Sequence, residues 1–277
     1  MKQLLRSIFV LSVLGAGTAK AGTVVVTSVS NAPALNTWYL GNYRDVSTSS
    51  PGNVYTSMTV AEISAANPRS GNASVAMSLT DGTGKADFIY TWGFDNNRTL
   101  GNLNSVGLDW IRTSGSSAPH FAPAMRLLYD ADGDITSTND RGYLVWEQVY
   151  NGPTAQNTWV ASDLLGQNFW QRQLDPGNTV EDFDQTLAEW ASGEAPTAPS
   201  YDLLSASTAI LGIEFGIGSG WDGSFEGFVD NVRIGFAGEE ATTYNFELAR
   251  GNVPEPASLA LLGLGALGFA ARRRKQK

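Results

Sequence analysis

The residues of this chain best suited to chemistry are carboxylates. Asp130, Asp132 and Asp134 stand at i, i+2 and i+4 in Asp130-Ala131-Asp132-Gly133-Asp134. That spacing lets a folded loop aim several oxygens at one hard cation such as calcium, and Asp140 could add a fourth ligand. An EF-hand would want glycine at the sixth position and glutamate at the twelfth; Ile135 and Arg141 stand there, so that loop is excluded. The competing expectation is a solvated acidic hairpin between Leu128 and Tyr143. Glu147 beside Trp146 and Glu214 within Ile213-Glu214-Phe215 are a second candidate set, because glycoside cleavage needs two carboxyl groups roughly 5 to 10 Å apart. Within the expected strands no two acidic residues show the close same-face spacing that would put such a pair on one strand. Isolated strand glutamates facing solvent are the default expectation.

Flat rings are the other chemical resource. Eight tryptophans, at positions 38, 92, 110, 146, 159, 170, 190 and 221, suit either a core or a surface that stacks on sugar rings. Most are expected in the core. Trp159, Trp170 and Trp221 have loop-like or polar neighbours and are the candidates for carbohydrate stacking. Cysteine is absent and His120 is the single histidine. Disulfides, thiolate nucleophiles and multi-histidine zinc sites are therefore excluded, and a Ser-His-Asp triad would have to use His120. Between Pro119 and Phe121, that residue reads as a loop histidine.

Short runs of alternating apolar residues, separated by turn signals every eight to fifteen positions, predict an all-β sandwich. The expected strands are Thr23–Val29, Asn36–Tyr43, Ser74–Leu79, Lys85–Trp92, Val106–Arg112, Ala124–Tyr129, Gly142–Tyr150, Thr158–Ala161, Ile210–Gly216, Gly227–Ile234 and Thr243–Glu247. Ser49-Ser50-Pro51-Gly52-Asn53, Asp81-Gly82-Thr83-Gly84 and Asn151-Gly152-Pro153 read as loops. One segment breaks the pattern. Asn178 or Thr179 could cap an amphipathic helix with Phe183, Leu187 and Trp190 on one face and Gly193 as its stop.

The two ends of the chain differ from its middle. Lys2 and Arg6, an apolar stretch from Ile8 to Ala16, and Ala19-Lys20-Ala21 before Gly22 predict a secretory signal peptide over residues 1–21. At the other end, Pro254-Glu255-Pro256 is followed by the uncharged run Ala257 to Ala271 and then by Arg272, Arg273, Arg274 and Lys275. Fifteen residues make about 22 Å of helix against a hydrocarbon core of about 30 Å, a span only just sufficient for a single transmembrane helix at 257–271. The cationic block behind it is a stop-transfer signal on the cytoplasmic side. Between these ends, residues 22–252 are expected to form one ectodomain across the inner membrane. The whole chain carries −9, and eight of its eighteen cations lie in the two end segments, which leaves the middle near −16. Such a field keeps a domain soluble, favours cations and disfavours nucleic acid or anionic lipid as partners.

Pro254-Glu255-Pro256, the short apolar helix and the arginine cluster, in that order over residues 253–277, resemble the PEP-CTERM sorting signal of bacterial exported proteins. The resemblance implies an exosortase-type processing enzyme as partner, a transient membrane anchor, and a cell-surface or matrix destination beside extracellular polysaccharide, with no catalytic role. Gly227-Phe228-Val229-Asp230-Asn231-Val232-Arg233-Ile234-Gly235 and the residues before it resemble the closing strands of jelly-roll modules of the concanavalin-like type. That resemblance implies a fold more than an activity. A calcium-assisted carbohydrate-binding module is the alternative function, with a glycan-cleaving enzyme third.

Overall fold

Apolar residues recur at every second position through most of the chain, and a strand with one apolar face must bury it against another sheet. The computed structural model describes residues 22–44, 59–82, 84–174, 177, 179–180, 182–194, 202–218, 221 and 223–249. The expected signal peptide and the whole segment 253–277, with its PEP motif, apolar run and arginines, lie outside the described residues. Among those residues no helix is long and apolar enough to cross a membrane.

The strands are β1 (Gly22–Val26), β2 (Trp38–Arg44), β3 (Thr59–Ser64), β4 (Ser74–Leu79), β5 (Lys85–Thr91), β6 (Leu103–Arg112), β7 (Ala124–Asp130), β8 (Arg141–Trp146), β9 (Val160–Asp163), β10 (Trp170–Gln173), β11 (Thr179–Val180), β12 (Ala209–Gly218), β13 (Phe225–Phe236) and β14 (Thr242–Phe246). They form two sheets. In the first, β13 takes β4 and β14 along one side and β6 along the other, with β3 beyond β4, β1 beyond β14 and β9 beyond β6. The second runs β11-β10-β8-β7-β12-β5-β2. Among the described strands every ladder is antiparallel except that of β1 with β14, where Gly22 faces Thr242 and Val26 faces Phe246. This is the expected sandwich.

Rings from both sheets meet in the middle. Trp38, Phe88 and Phe215 of the second sheet surround Phe246 of the first at centroid distances of 5.2, 6.2 and 5.6 Å, and Trp38 meets Tyr244 edge-on at 5.3 Å. Edge-to-face geometry of this kind contributes beyond the buried area itself. The phrase Val229-Asp230-Asn231-Val232 has a mechanical part in the fold. Register shifts between Asp230 and Arg233, and Asn231 takes a positive φ of 48°, which marks a bulge. The buried Asp230 carboxylate then accepts backbone N–H groups of Ser70 at 3.1 Å and Phe246 at 2.9 Å, tying the approach to β4 to the end of β14.

Three strands, β3, β10 and β11, were not among those expected. β10 escaped because its core-facing residues are Gln171 and Gln173, both fully buried; Gln171 Nε2 donates to Tyr129 Oη at 2.9 Å and to the Asp202 carbonyl at 2.9 Å. The expected strand over Gly142–Tyr150 ends at Trp146 and gives way to a 3₁₀ turn at Gln148–Tyr150. The expected helix is shorter and later than its sequence suggested. Thr179 belongs to β11, and α1 spans Leu187–Ser192. Thr186 caps it in a reciprocal box with Glu189, and Gly193 ends it in the left-handed region, as expected. Leu187 and Trp190 are buried, whereas Phe183 lies outside the helix and stacks on Tyr150 at 4.1 Å.

Phe246→Ala should therefore lower unfolding stability by about 3–5 kcal/mol, because the vacated space is walled by rings from two sheets and cannot collapse. Urea titration followed by tryptophan fluorescence would measure it, and a loss under about 1 kcal/mol would contradict the packing described.

Candidate functional site

Side chains that do not point into the core from the second sheet point outward, and there they line a groove of about 510 Å³. One row across this face runs Trp170, Val145, Arg126, Glu214 and Ile89, each opposite the next on β10, β8, β7, β12 and β5. Lys85 and Asp87 on β5, Tyr143 on β8 and Arg172 on β10 share the outward face at neighbouring positions. Gly216 sits opposite Asp87 on β12, and a Cβ there would collide with the Asp87 carboxylate. The missing side chain is what lets that carboxylate lie flat over the sheet.

The floor of the groove is an ion network. Arg126 Nη1 donates to Asp87 Oδ1 at 2.9 Å and pairs closely with Glu214 Oε1. Asp87 Oδ2 also accepts Asn42 Nδ2 at 2.8 Å and pairs with Lys85 Nζ at 3.0 Å. Asp87 and Glu214 are essentially sealed from solvent. Burial pushes the Glu214 carboxyl up to about 7; Arg126 and Lys85 pull it down, and Asp87 adds to the rise. Its second oxygen, Oε2, has no hydrogen-bond partner among the described residues. Glu214 thus departs from the expected solvent-facing glutamate, because the neighbouring guanidinium makes its burial tolerable. The same carboxylate helps raise the hydroxyls of Tyr39 and Tyr143, the latter to about 12, after burial as the larger cause.

Two rings frame this floor. Trp170 is half-buried on β10, and its Nε1 donates to Glu147 Oε2 at 3.0 Å. Trp221, half-buried beyond the end of β12, stacks on Phe121 at 4.7 Å and 13°, with Phe225 edge-on at 5.2 Å. Both rings are locked from one side and line the groove with the other. The third candidate, Trp159, lies elsewhere. Its Nε1 donates to Asn67 Oδ1 at 3.3 Å and the Arg69 guanidinium sits 5.7 Å from its ring centre. Trp38, Trp92, Trp110, Trp146 and Trp190 are buried, as most were expected to be.

Glu147 and Glu214 do line one groove, but their backbones are two strands and two residues apart, about 12 Å on sheet geometry. One is held by an indole and the other by a guanidinium. In the acidic loop, Asp130, Asp132 and Asp140 can bring one oxygen each within 4.8 Å of the others. Asp134 is not in that group; its Oδ1 accepts the Thr136 hydroxyl at 2.7 Å. Asp130 Oδ2 takes Arg141 Nε at 2.9 Å, and Asp140 Oδ2 takes the Asp132 amide at 2.9 Å. His120 is an exposed loop residue beside Phe121.

The residues that build the groove floor, Asp87, Arg126, Lys85, Asn42, Tyr143 and Arg172, were not among the functional candidates read from the sequence. A signal existed. Asp87, Arg126 and Glu214 each stand alone between two apolar residues on three different strands, as Ala-Asp-Phe, Met-Arg-Leu and Ile-Glu-Phe. That places each on the face opposite the core.

A family model described as a PEP-CTERM protein-sorting motif matches residues 252–275. The chain therefore carries that sorting motif, which marks an exported protein. No curated protein matches the chain. Solved structures similar to it include the family 11 carbohydrate-binding module of the cellulosomal cellulase Lic26A-Cel5E of Clostridium thermocellum, at 14% identity, with 74% of this chain and 90% of that one covered and a TM-score of 0.34. The Clostridium thermocellum family 11 module in complex with a β-1,3-1,4-mixed-linked tetrasaccharide aligns at 12% identity over 74% and 91%, again at 0.34. The solution structure of CtCBM11 aligns at 15% over 75% and 92%, at 0.32. At these TM-scores the likeness fixes neither strand correspondence nor ligand.

A carboxyl that titrates higher when folded than when unfolded holds extra protons in the native state, so stability falls as pH rises between the two values. For Glu214 that window runs from about 4.5 to about 7, and for Asp230 from about 4 to about 6. Thermal melts should therefore show higher stability near pH 5 than near pH 8, with Glu214 contributing on the order of 1–3 kcal/mol of the difference. Glu214→Gln should flatten the profile between about pH 5 and pH 7; a slope there identical to that of the parent chain would contradict this electrostatic picture.

Proposed function

We propose that this chain is an exported, non-catalytic surface or matrix protein whose sandwich domain holds extracellular polysaccharide along the outward groove of its second sheet. The observation that carries the reading is the pairing of two fixed indoles, Trp170 and Trp221, with a preorganised polar floor. Flat rings stack on the apolar faces of sugars, and charged or amide groups beside them satisfy hydroxyls. The sorting motif supports delivery: an exosortase-type enzyme would process the tail near Pro254, Glu255 and Pro256 while residues 257–271 hold the chain in the inner membrane and Arg272, Arg273 and Arg274 stay inside. The burial of Glu214 against Arg126, the Trp170 contact of Glu147 and the roughly 12 Å between their backbones favour binding over cleavage.

Affinity electrophoresis of the purified full-length chain in gels containing soluble polysaccharides should show retardation by at least one polymer. Trp170→Ala should weaken that retardation about 5- to 30-fold, the loss expected for one stacking platform worth about 1–2 kcal/mol. Retardation by no polymer at all would overturn the reading.

The calcium-assisted form of this reading is favoured by the convergence of Asp130, Asp132 and Asp140, with Asp140 in the place expected of Asp134. A melting temperature that rises with added calcium in the parent chain, and fails to rise in the Asp132→Asn/Asp140→Asn double variant, is the expected outcome. No calcium response in the parent chain would dismiss the site.

A further inference from the structure

The groove is nearly balanced in charge where the chain around it is strongly negative: its carboxylates are Glu147, held by the Trp170 indole, and Asp87 and Glu214 in the floor. The region between residues 22 and 252 is near −16, yet three of its ten cations, Lys85, Arg126 and Arg172, line this one groove. Two of them are already neutralised. Lys85 pairs with Asp87, and Arg126 is shared by Asp87 and Glu214. Arg172 is different: its side chain is exposed, its Nη1 donates to Thr179 Oγ1 at 2.7 Å, and no carboxylate among the described residues pairs with it. A guanidinium fixed through one nitrogen keeps its other donors for a ligand, and its planar fork matches the two oxygens of a carboxylate.

Position along the strand adds a second constraint. Trp170 and Arg172 are i and i+2 on β10, so they share the outward face about 6.6 Å apart along the strand. That span is comparable to one sugar residue. A ring stacked on the Trp170 indole would carry a substituent toward the Arg172 guanidinium. Repulsion from the rest of the domain does not forbid an anionic ligand there, because charges beyond about 8 Å are largely screened at physiological ionic strength.

We propose that the polymer held in this groove is a carboxylated one, a polysaccharide containing uronic acid residues, with Arg172 receiving a carboxylate of the sugar stacked on Trp170. The inference rests on the polysaccharide reading above. Protonation of Glu214 as pH falls through about 7 would remove a negative charge from the floor and reinforce the preference.

The test compares the purified full-length chain on polygalacturonate, on its fully methyl-esterified form and on a neutral β-glucan, in low and high salt. Binding to polygalacturonate should exceed binding to the other two and weaken with salt. Arg172→Gln should lower it about 10- to 100-fold, and Arg172→Lys should restore part of that loss; melting temperatures of both variants equal to the parent would show that folding is intact. Equal binding to charged, esterified and neutral polymers, or no effect of Arg172→Gln, would overturn the carboxylate assignment and leave the groove as a polysaccharide site. Binding to none of the three, with no retardation in the wider polymer panel either, would overturn both.

Discussion

A guanidinium cannot be sealed into the middle of a sheet face without counter-charge, and Arg126 sets that demand for the whole outward surface of the second sheet. Its desolvation penalty would be several kcal/mol if unpaired. Asp87 on β5 and Glu214 on β12 meet it from one side, so three adjacent strands are held in one register by charge as well as by their ladders. A slip of one residue between any two would turn a charged side chain into the aromatic core. The arrangement also explains why Asp87 has so many partners: Lys85, Asn42 and Arg126 all reach it, and Gly216 makes room.

The same sheet thereby serves two purposes from its two faces. Phe88, Leu127, Leu144, Ile213 and Phe215 look inward to rings of the first sheet, while their immediate neighbours in sequence look outward to the groove. Rigidity on one side is lent to the other. Trp170 and Trp221 gain from this directly, since each is braced by a residue that is itself anchored, Glu147 following β8 and Phe121 preceding β7. A platform held in place before the ligand arrives loses little freedom on binding.

Period-two alternation made most strands legible, and the closing β13 was recognisable from its Val-Asp-Asn-Val phrase. What stayed hidden did so for physical reasons. β10 turns two glutamines inward, Gln171 bonding to Tyr129 and Asp202, so its polar sequence gave no apolar face to detect. Thr179 has the chemistry of a helix cap, yet pairing with Arg172 claimed it for β11 and moved the cap to Thr186. Glu214 read as a surface glutamate because the residue that permits its burial, Arg126, is eighty-eight positions away. Trp170 and Trp221 were identifiable by their polar surroundings; Trp159 shared that signal but serves a different part of the molecule, against Asn67 and Arg69.

The parallel pairing of β1 with β14 has a consequence for how the domain comes into being. The first strand of the sandwich finds its ladder partner only in the last, more than two hundred residues later. A chain emerging from its N-terminal end must therefore keep Thr23-Val24-Val25-Val26 unpaired until almost everything else has appeared, and a valine-rich edge left waiting is prone to join the wrong neighbour. Closure is thus bounded by length: the β1 ladder can form only once β14 has followed it, just ahead of the segment that carries the sorting motif.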